Sequence, residues 1–230
     1  PSDYRNILIL TIFTFLLISG GYQALSIVSG YLLMVFFLFY SIRKLLSKDY
    51  TSFFRFIKAN MIWALLTTAL CLVIIASERG IFKYVERLSG MSLEQAQSIP
   101  FTPRSLISLL VPYGAVKNMD FFRTDISMTN LYMGIFMLVF FMAGIFIKLK
   151  PELMILLIFG FVFLLASFGK YLPVRKWLYD YVPLMDLFRL PGFLRVLIVI
   201  PIMVTGGIVV DALLKGTGKL QKRILLPFSV

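Results

Sequence analysis

The sequence predicts an all-α fold: a polytopic transmembrane bundle of about six helices with short amphipathic helices on its outer face. Three observations lead there. Of the 230 residues, 60% are hydrophobic and the mean hydropathy is +0.91, whereas soluble domains hold roughly 45–50% apolar residues. The apolar residues gather in long charge-free runs separated by short charged stretches, as in a chain that crosses a bilayer repeatedly. The charge balance of those stretches alternates along the chain, which is the positive-inside pattern.

In order, the first run is 6–20, somewhat short of the roughly 20 residues a crossing needs. Gly20-Gly21-Tyr22-Gln23 then turns the chain, because glycine accepts positive φ. The second run, 24–42, leads into a basic segment, 43–58, in which Arg43, Lys44, Lys48, Arg55 and Lys58 face Asp49 alone. The third run is 60–77, followed by a polar stretch, 78–130. The fourth, 131–147, turns at Lys148-Leu149-Lys150-Pro151 into the fifth, 153–168. A second polar stretch, 169–194, precedes the sixth run, 195–214. Together they form a single transmembrane domain over 1–230. The chain starts at Pro1 and stops at Val230 inside what reads as a further apolar run, so an internal fragment of a longer protein is expected.

With 23 Lys+Arg against 11 Asp+Glu, the net charge is +12. In a soluble protein this balance suggests nucleic acid. Here the cations flank apolar runs, so anionic headgroups and topology control are the partners expected, with no nucleic acid. Placing 43–58, 148–151 and 215–223 inside puts 20–23, 78–130 and 169–194 outside. The stretch 78–130 is nearly balanced, with six bases and five acids. The stretch 169–194 is the exception: Lys170, Arg175, Lys176 and Arg189 outnumber Asp180 and Asp186. The chain has no His and one Cys, Cys71, within an apolar run. A histidine proton shuttle, an internal disulfide and a cysteine metal cage are therefore excluded, and no metal-ligating residues are assigned.

The outer stretches carry helix signals. Ser92-Leu93-Glu94-Gln95 reads as a capping box, Thr102-Pro103 as an N-cap followed by proline at the first helical position, and Ser105 to Val111 as the helix they start. Pro173 to Val182 places Trp177, Tyr179 and Tyr181 beside Arg175 and Lys176, which suits an interfacial helix.

Phe188-Arg189-Leu190-Pro191-Gly192-Phe193-Leu194-Arg195 joins the basic outer stretch to the sixth run. A helix start flanked by guanidinium groups binds phosphate oxygens well, so Arg189, Arg195, Arg175 and Lys176 are candidates for a phosphate or lipid-phosphate site. The alternative is headgroup anchoring by snorkelling. Glu86, Asp120 and Asp125 are candidate outer-face acids; the alternative is solvated ion pairing. Asp211, with Lys215 four residues on, suits an ion pair. Gly206-Gly207 and Pro201 either break the sixth helix or serve plain packing.

The Gly-Gly-Tyr-Gln turn, the Ser105-to-Gly114 stretch, Tyr171-Leu172-Pro173 and the Phe188-to-Arg195 segment together resemble the YfhO-type bacterial membrane protein family. That family is similar to the GT-C glycosyltransferases, although its turn often reads Gly-His-Pro-Gln. The resemblance implies a multi-pass protein of the bacterial cytoplasmic membrane. It implies transfer of a sugar from a polyprenyl-phosphate donor to a cell-envelope polymer on the outer face, with Arg189 and Arg195 near the donor phosphate. The catalytic carboxylate is expected to precede this fragment, so no catalytic residue is assigned. No cofactor is implied, and a divalent metal accompanying the donor is compatible with the reading. A lipid-linked sugar flippase and a non-catalytic membrane scaffold remain as alternatives.

Overall fold

A computed structural model of the chain describes residues 2–78, 90–112, 119–145 and 149–215. The secondary structure among the described residues is helical, without strands. Three helices are long and apolar enough to cross a membrane: Gln23–Leu46, Tyr50–Ile74 and Pro191–Leu214. Tyr4–Ser19, Ile135–Gly144 and Pro151–Ser167 are shorter apolar helices. The chain divides into two compact units, Pro1–Gly90 and Met91–Val230.

The first unit holds α1 (Ser2–Ser19), α2 (Gln23–Leu46) and α3 (Tyr50–Glu78). In α1 the hydroxyls of Thr11 and Thr14 donate to the carbonyls of Ile7 and Leu10 at 2.9 and 2.7 Å, which hides them from an apolar surrounding. Gly21 takes φ +78° in the turn to α2, as the glycine pair predicted. The turn from α2 to α3 is much shorter than the basic segment suggested, running only from Ser47 to Asp49. Asp49 accepts a hydrogen bond from the Ser52 amide at 3.0 Å, and α3 begins at Tyr50 rather than near 60. Arg55 and Lys58 therefore ride on the helix. The physical reason is that hydropathy marks where a helix loses contact with water, not where it begins, and Lys and Arg are themselves good helix formers. α1 packs along α3, while α2 meets both more sparingly. Phe37 of α2 stacks on Phe56 of α3 with ring centroids 5.6 Å apart.

The second unit holds α4 (Leu93–Ala96), α5 (Met119–Phe122), α6 (Ile135–Gly144), α7 (Pro151–Ser167), α8 (Val174–Tyr181) and α9 (Val196–Leu214), with short 3-10 turns between them. α9 packs against both α6 and α7, and small residues sit where the backbones approach. A Cβ on Gly144 would lie 2.6 Å from Thr205 Cγ2, one on Gly206 2.9 Å from Met137 Sδ, and one on Gly160 2.9 Å from the Leu197 carbonyl oxygen. This is how apolar helices associate where burial from water contributes little. Pro201, inside α9, has no N–H to give the Leu197 carbonyl, and Gly160 of α7 lies against that carbonyl. Asp211 and Lys215 form the expected ion pair at 2.8 Å. Phe101, Leu131, Phe168, Ile198 and Ile202 form the core beneath the polar segments.

Candidate functional site

In the second unit, 90–112, 119–133 and 169–195 fold upon one another. The capping box at Ser92 is formed: its hydroxyl accepts from the Gln95 amide at 3.3 Å, and the Gln95 side chain accepts from the Ser92 amide at 3.2 Å. Pro103 opens a 3-10 helix, Pro103–Leu109, rather than an α-helix. Thr102 does not cap it; its hydroxyl is hydrogen-bonded to that of Ser105 at 2.9 Å. The predicted end of that segment at Tyr113-Gly114 lies outside the described residues, as do Glu86 and Lys148. α8 takes the amphipathic form predicted, with Trp177 and Tyr181 exposed at 58% and 81%.

The four candidate phosphate ligands divide into two pairs. Arg175 is fully buried. Its Nε donates to the Ala96 carbonyl at 3.1 Å, and its Nη2 donates to the carbonyls of Met185 at 3.0 Å and Phe188 at 2.8 Å. Nη1 has no hydrogen-bond partner among the described residues. Burial pushes this guanidinium down to about 10, partly opposed by Tyr179 and Asp186, so it stays charged at neutral pH. Arg195 is 7% exposed. Its Nε donates to the Asn130 carbonyl at 2.8 Å, Nη1 to the Gly192 carbonyl at 2.6 Å, and Nη2 to the Ser127 carbonyl at 2.8 Å. Its guanidinium carbon lies 5.8 Å from the ring centroid of Phe101.

Arg175 and Arg195, expected beside a phosphate, both point inward here and hold backbone carbonyls. Short helices and 3-10 turns leave many carbonyls without an in-element donor, and a buried carbonyl needs one. Guanidinium, with five N–H groups in a fixed fork, supplies several at once. Arg189 and Lys176 remain exposed, and neither side chain has a partner among the described residues. Ser98 donates to the backbone carbonyl of Arg189 at 3.0 Å. Asp125 is engaged as a cap, accepting from the Ser127 amide at 2.8 Å and hydroxyl at 2.6 Å; these bonds hold its carboxyl below the usual range. Asp120 is exposed on α5.

The structure adds a site that spacing did not reveal. A pocket of about 160 Å³ is lined by Thr102, Arg104, Phe121, Phe122, Arg123 and Tyr171, with Pro103. Arg104 Nη1 donates to the Phe121 carbonyl at 3.0 Å, and its guanidinium lies 5.0 Å from the Phe121 ring centroid. Arg123 adopts φ +51°, a left-handed conformation uncommon for a non-glycine residue. Lys170 Nζ lies 5.9 Å from the centroid of Tyr171. Two arginines and an aromatic wall on a small pocket are residue types suited to a phosphate-sized anion. The pairing is not legible in the sequence, because Arg104 and Arg123 come together only through the 3-10 helix and α5. Among the described residues, no group of three or more His, Cys, Asp or Glu is gathered to hold a metal.

Comparison with family models, with curated proteins and with solved structures finds no match.

Proposed function

We propose that this chain is part of a six-span, GT-C-like glycosyltransferase of the YfhO type, working in the bacterial cytoplasmic membrane. It would hold a polyprenyl-phosphate-linked sugar on the outer face and deliver the sugar to a cell-envelope polymer. The observation that carries this reading is the pocket between Arg104 and Arg123, in a segment that the charge pattern assigns to the outer face. Its guanidinium groups would hold the donor phosphate and stabilise the charge that develops on it as the sugar leaves. Asp120, exposed and adjacent in sequence to the pocket residue Phe121, would be the carboxylate on hand for the acceptor hydroxyl. Arg189 and Lys176, both exposed, would extend the basic surface for the lipid headgroups.

The test is Arg104→Gln and Arg123→Gln in the full-length protein, with sugar transfer from a polyprenyl-phosphate donor assayed in membranes. A tenfold or greater loss at unchanged protein level is expected, which corresponds to about 1.4 kcal/mol or more. Unchanged transfer overturns the site.

A second reading, a non-catalytic scaffold, is favoured by one observation: Arg175 and Arg195 serve to knit segments together. Absence of transfer in the wild type over several donors would move the weight there. The flippase alternative has less support. Gly206 faces Met137 closely and Pro201 is buried, so two of the three positions of that path are taken up by helix packing, while a Cβ on Gly207 would meet nothing within 4 Å.

A further inference from the structure

The first unit contains a different feature, independent of the glycosyl-transfer reading. A cavity of about 630 Å³ lies between α1, α2 and α3, within the roughly 300–1,000 Å³ range of ligand pockets. Its walls are largely apolar, with Phe37 and Tyr40 among them, and its rim residues Met34 and Met61 are exposed. A second cavity, of about 540 Å³, shares Leu10, Phe56, Asn60 and Trp63 with the first. Asn6, Lys44, Ser52 and Arg55 line this second cavity. The two adjoin at these shared residues as a groove, the first part apolar and the second carrying two cations.

Trp63, which lines both cavities, and Thr67, which lines the first, leave hydrogen-bond donors open. Their Nε1 and Oγ1 are buried and have no partner among the described residues. Thr11, Thr14 and Thr205 each donate to the carbonyl four residues back; Thr67 does not. Buried polar groups of this kind ordinarily find a partner. Gly30 of α2 lines the apolar end, and a Cβ there would meet nothing within 4 Å.

We propose that this groove binds an anionic phospholipid of the surrounding bilayer. One acyl chain fills the apolar cavity, the phosphate lies between Lys44 and Arg55, and an ester carbonyl at the junction accepts from Trp63. Charge complementarity selects this occupant: the groove offers two cations at one end and an apolar slot at the other, with an N–H between. Asp49, the carboxylate that faces Lys44 and Arg55, is already held by Ser52. A neutral lipid would leave the basic end unanswered, and a peptide helix would not match a slot that is apolar at one end only.

The chain contains two tryptophans, Trp63 and Trp177, so Trp177→Phe in the full chain isolates the fluorescence of Trp63. The protein is reconstituted in vesicles of phosphatidylcholine containing increasing fractions of phosphatidylglycerol brominated on its acyl chains; bromine quenches indole by contact. Saturable quenching at low phosphatidylglycerol fraction, stronger than with brominated phosphatidylcholine, is expected. Lys44→Gln and Arg55→Gln should each raise the half-quenching fraction about fivefold. Gly30→Leu, at a position where a Cβ meets nothing within 4 Å, should abolish the saturable component while leaving helix content and melting unchanged. Equal quenching by the two brominated lipids overturns the proposal. So does quenching that survives Gly30→Leu, since the bromines would then reach Trp63 from the bulk bilayer.

Discussion

Arg195 Nε donates to the backbone carbonyl of Asn130 at 2.8 Å, tying the start of α9 to a loop 65 residues earlier in the chain. The same guanidinium holds the carbonyls of Ser127 and Gly192. Arg195→Ala leaves three carbonyls without their donor, at a cost of roughly 1–3 kcal/mol for each that stays buried and unpaired. The expected outcome is a protein that melts well below wild type, measured by thermal unfolding in detergent. Arg195→Lys recovers only part of the loss, because an ammonium cannot span the fork. Full rescue by Lys would mean that charge alone is required.

The glycines of the α9 contacts separate by what a side chain would meet. Gly160→Ala drives a methyl to within 2.9 Å of backbone at Leu197, and overpacking of this kind costs about 1–3 kcal/mol. Gly206→Ala meets the end of flexible Met137 and is milder. Gly207→Ala meets nothing within 4 Å and gains up to about 1 kcal/mol of helix propensity. Melting temperatures should rank in that order, lowest for Gly160→Ala.

Asp125 titrates below its usual value of 3.8 because Ser127 hydrogen-bonds its charged form. A carboxyl depressed in the folded state contributes stability that is present above its unfolded pKa and lost as pH falls through the folded value. An acid titration of the 126–128 turn should therefore show the cap surviving at pH 4 and failing below it. Asp125→Ala removes this dependence; an unchanged acid profile would mean that the cap does not form.

Asp49→Ala removes the acceptor at the start of α3 and should weaken that helix start, with fraying of residues 50–58 read by amide exchange. Asp49→Asn, which keeps an acceptor oxygen, should lose much less.

Helices were legible wherever hydropathy or cap chemistry marked them. The capping box at Ser92, the Gly21 turn, the amphipathic α8 and the Asp211–Lys215 pair all follow from local spacing, and each is a short-range interaction. Failures occurred where a long-range partner decides. α3 begins ten residues before the apolar run it carries, because charges on a helix look the same in sequence as charges in a loop. The carbonyls that Arg175 and Arg195 hold lie 79 and 65 residues away, and a guanidinium carries no local mark of such partners. The Arg104–Arg123 pocket was missed for the same reason, and the orphan donors at Trp63 and Thr67 depend on how three helices splay.

The inward-facing arginines also impose a schedule on biosynthesis. A ribosome delivers the carbonyls of Ala96, Ser127 and Asn130 first, and their donors arrive only when residues 175 and 195 emerge. At roughly 5–20 residues per second, the early polar segment waits several seconds with its acceptors unmet. A nascent chain halted before Arg175 would therefore expose an unfinished surface to chaperones and membrane proteases, and release from that surveillance would come with Arg175 and Arg195 rather than with the helix that follows them.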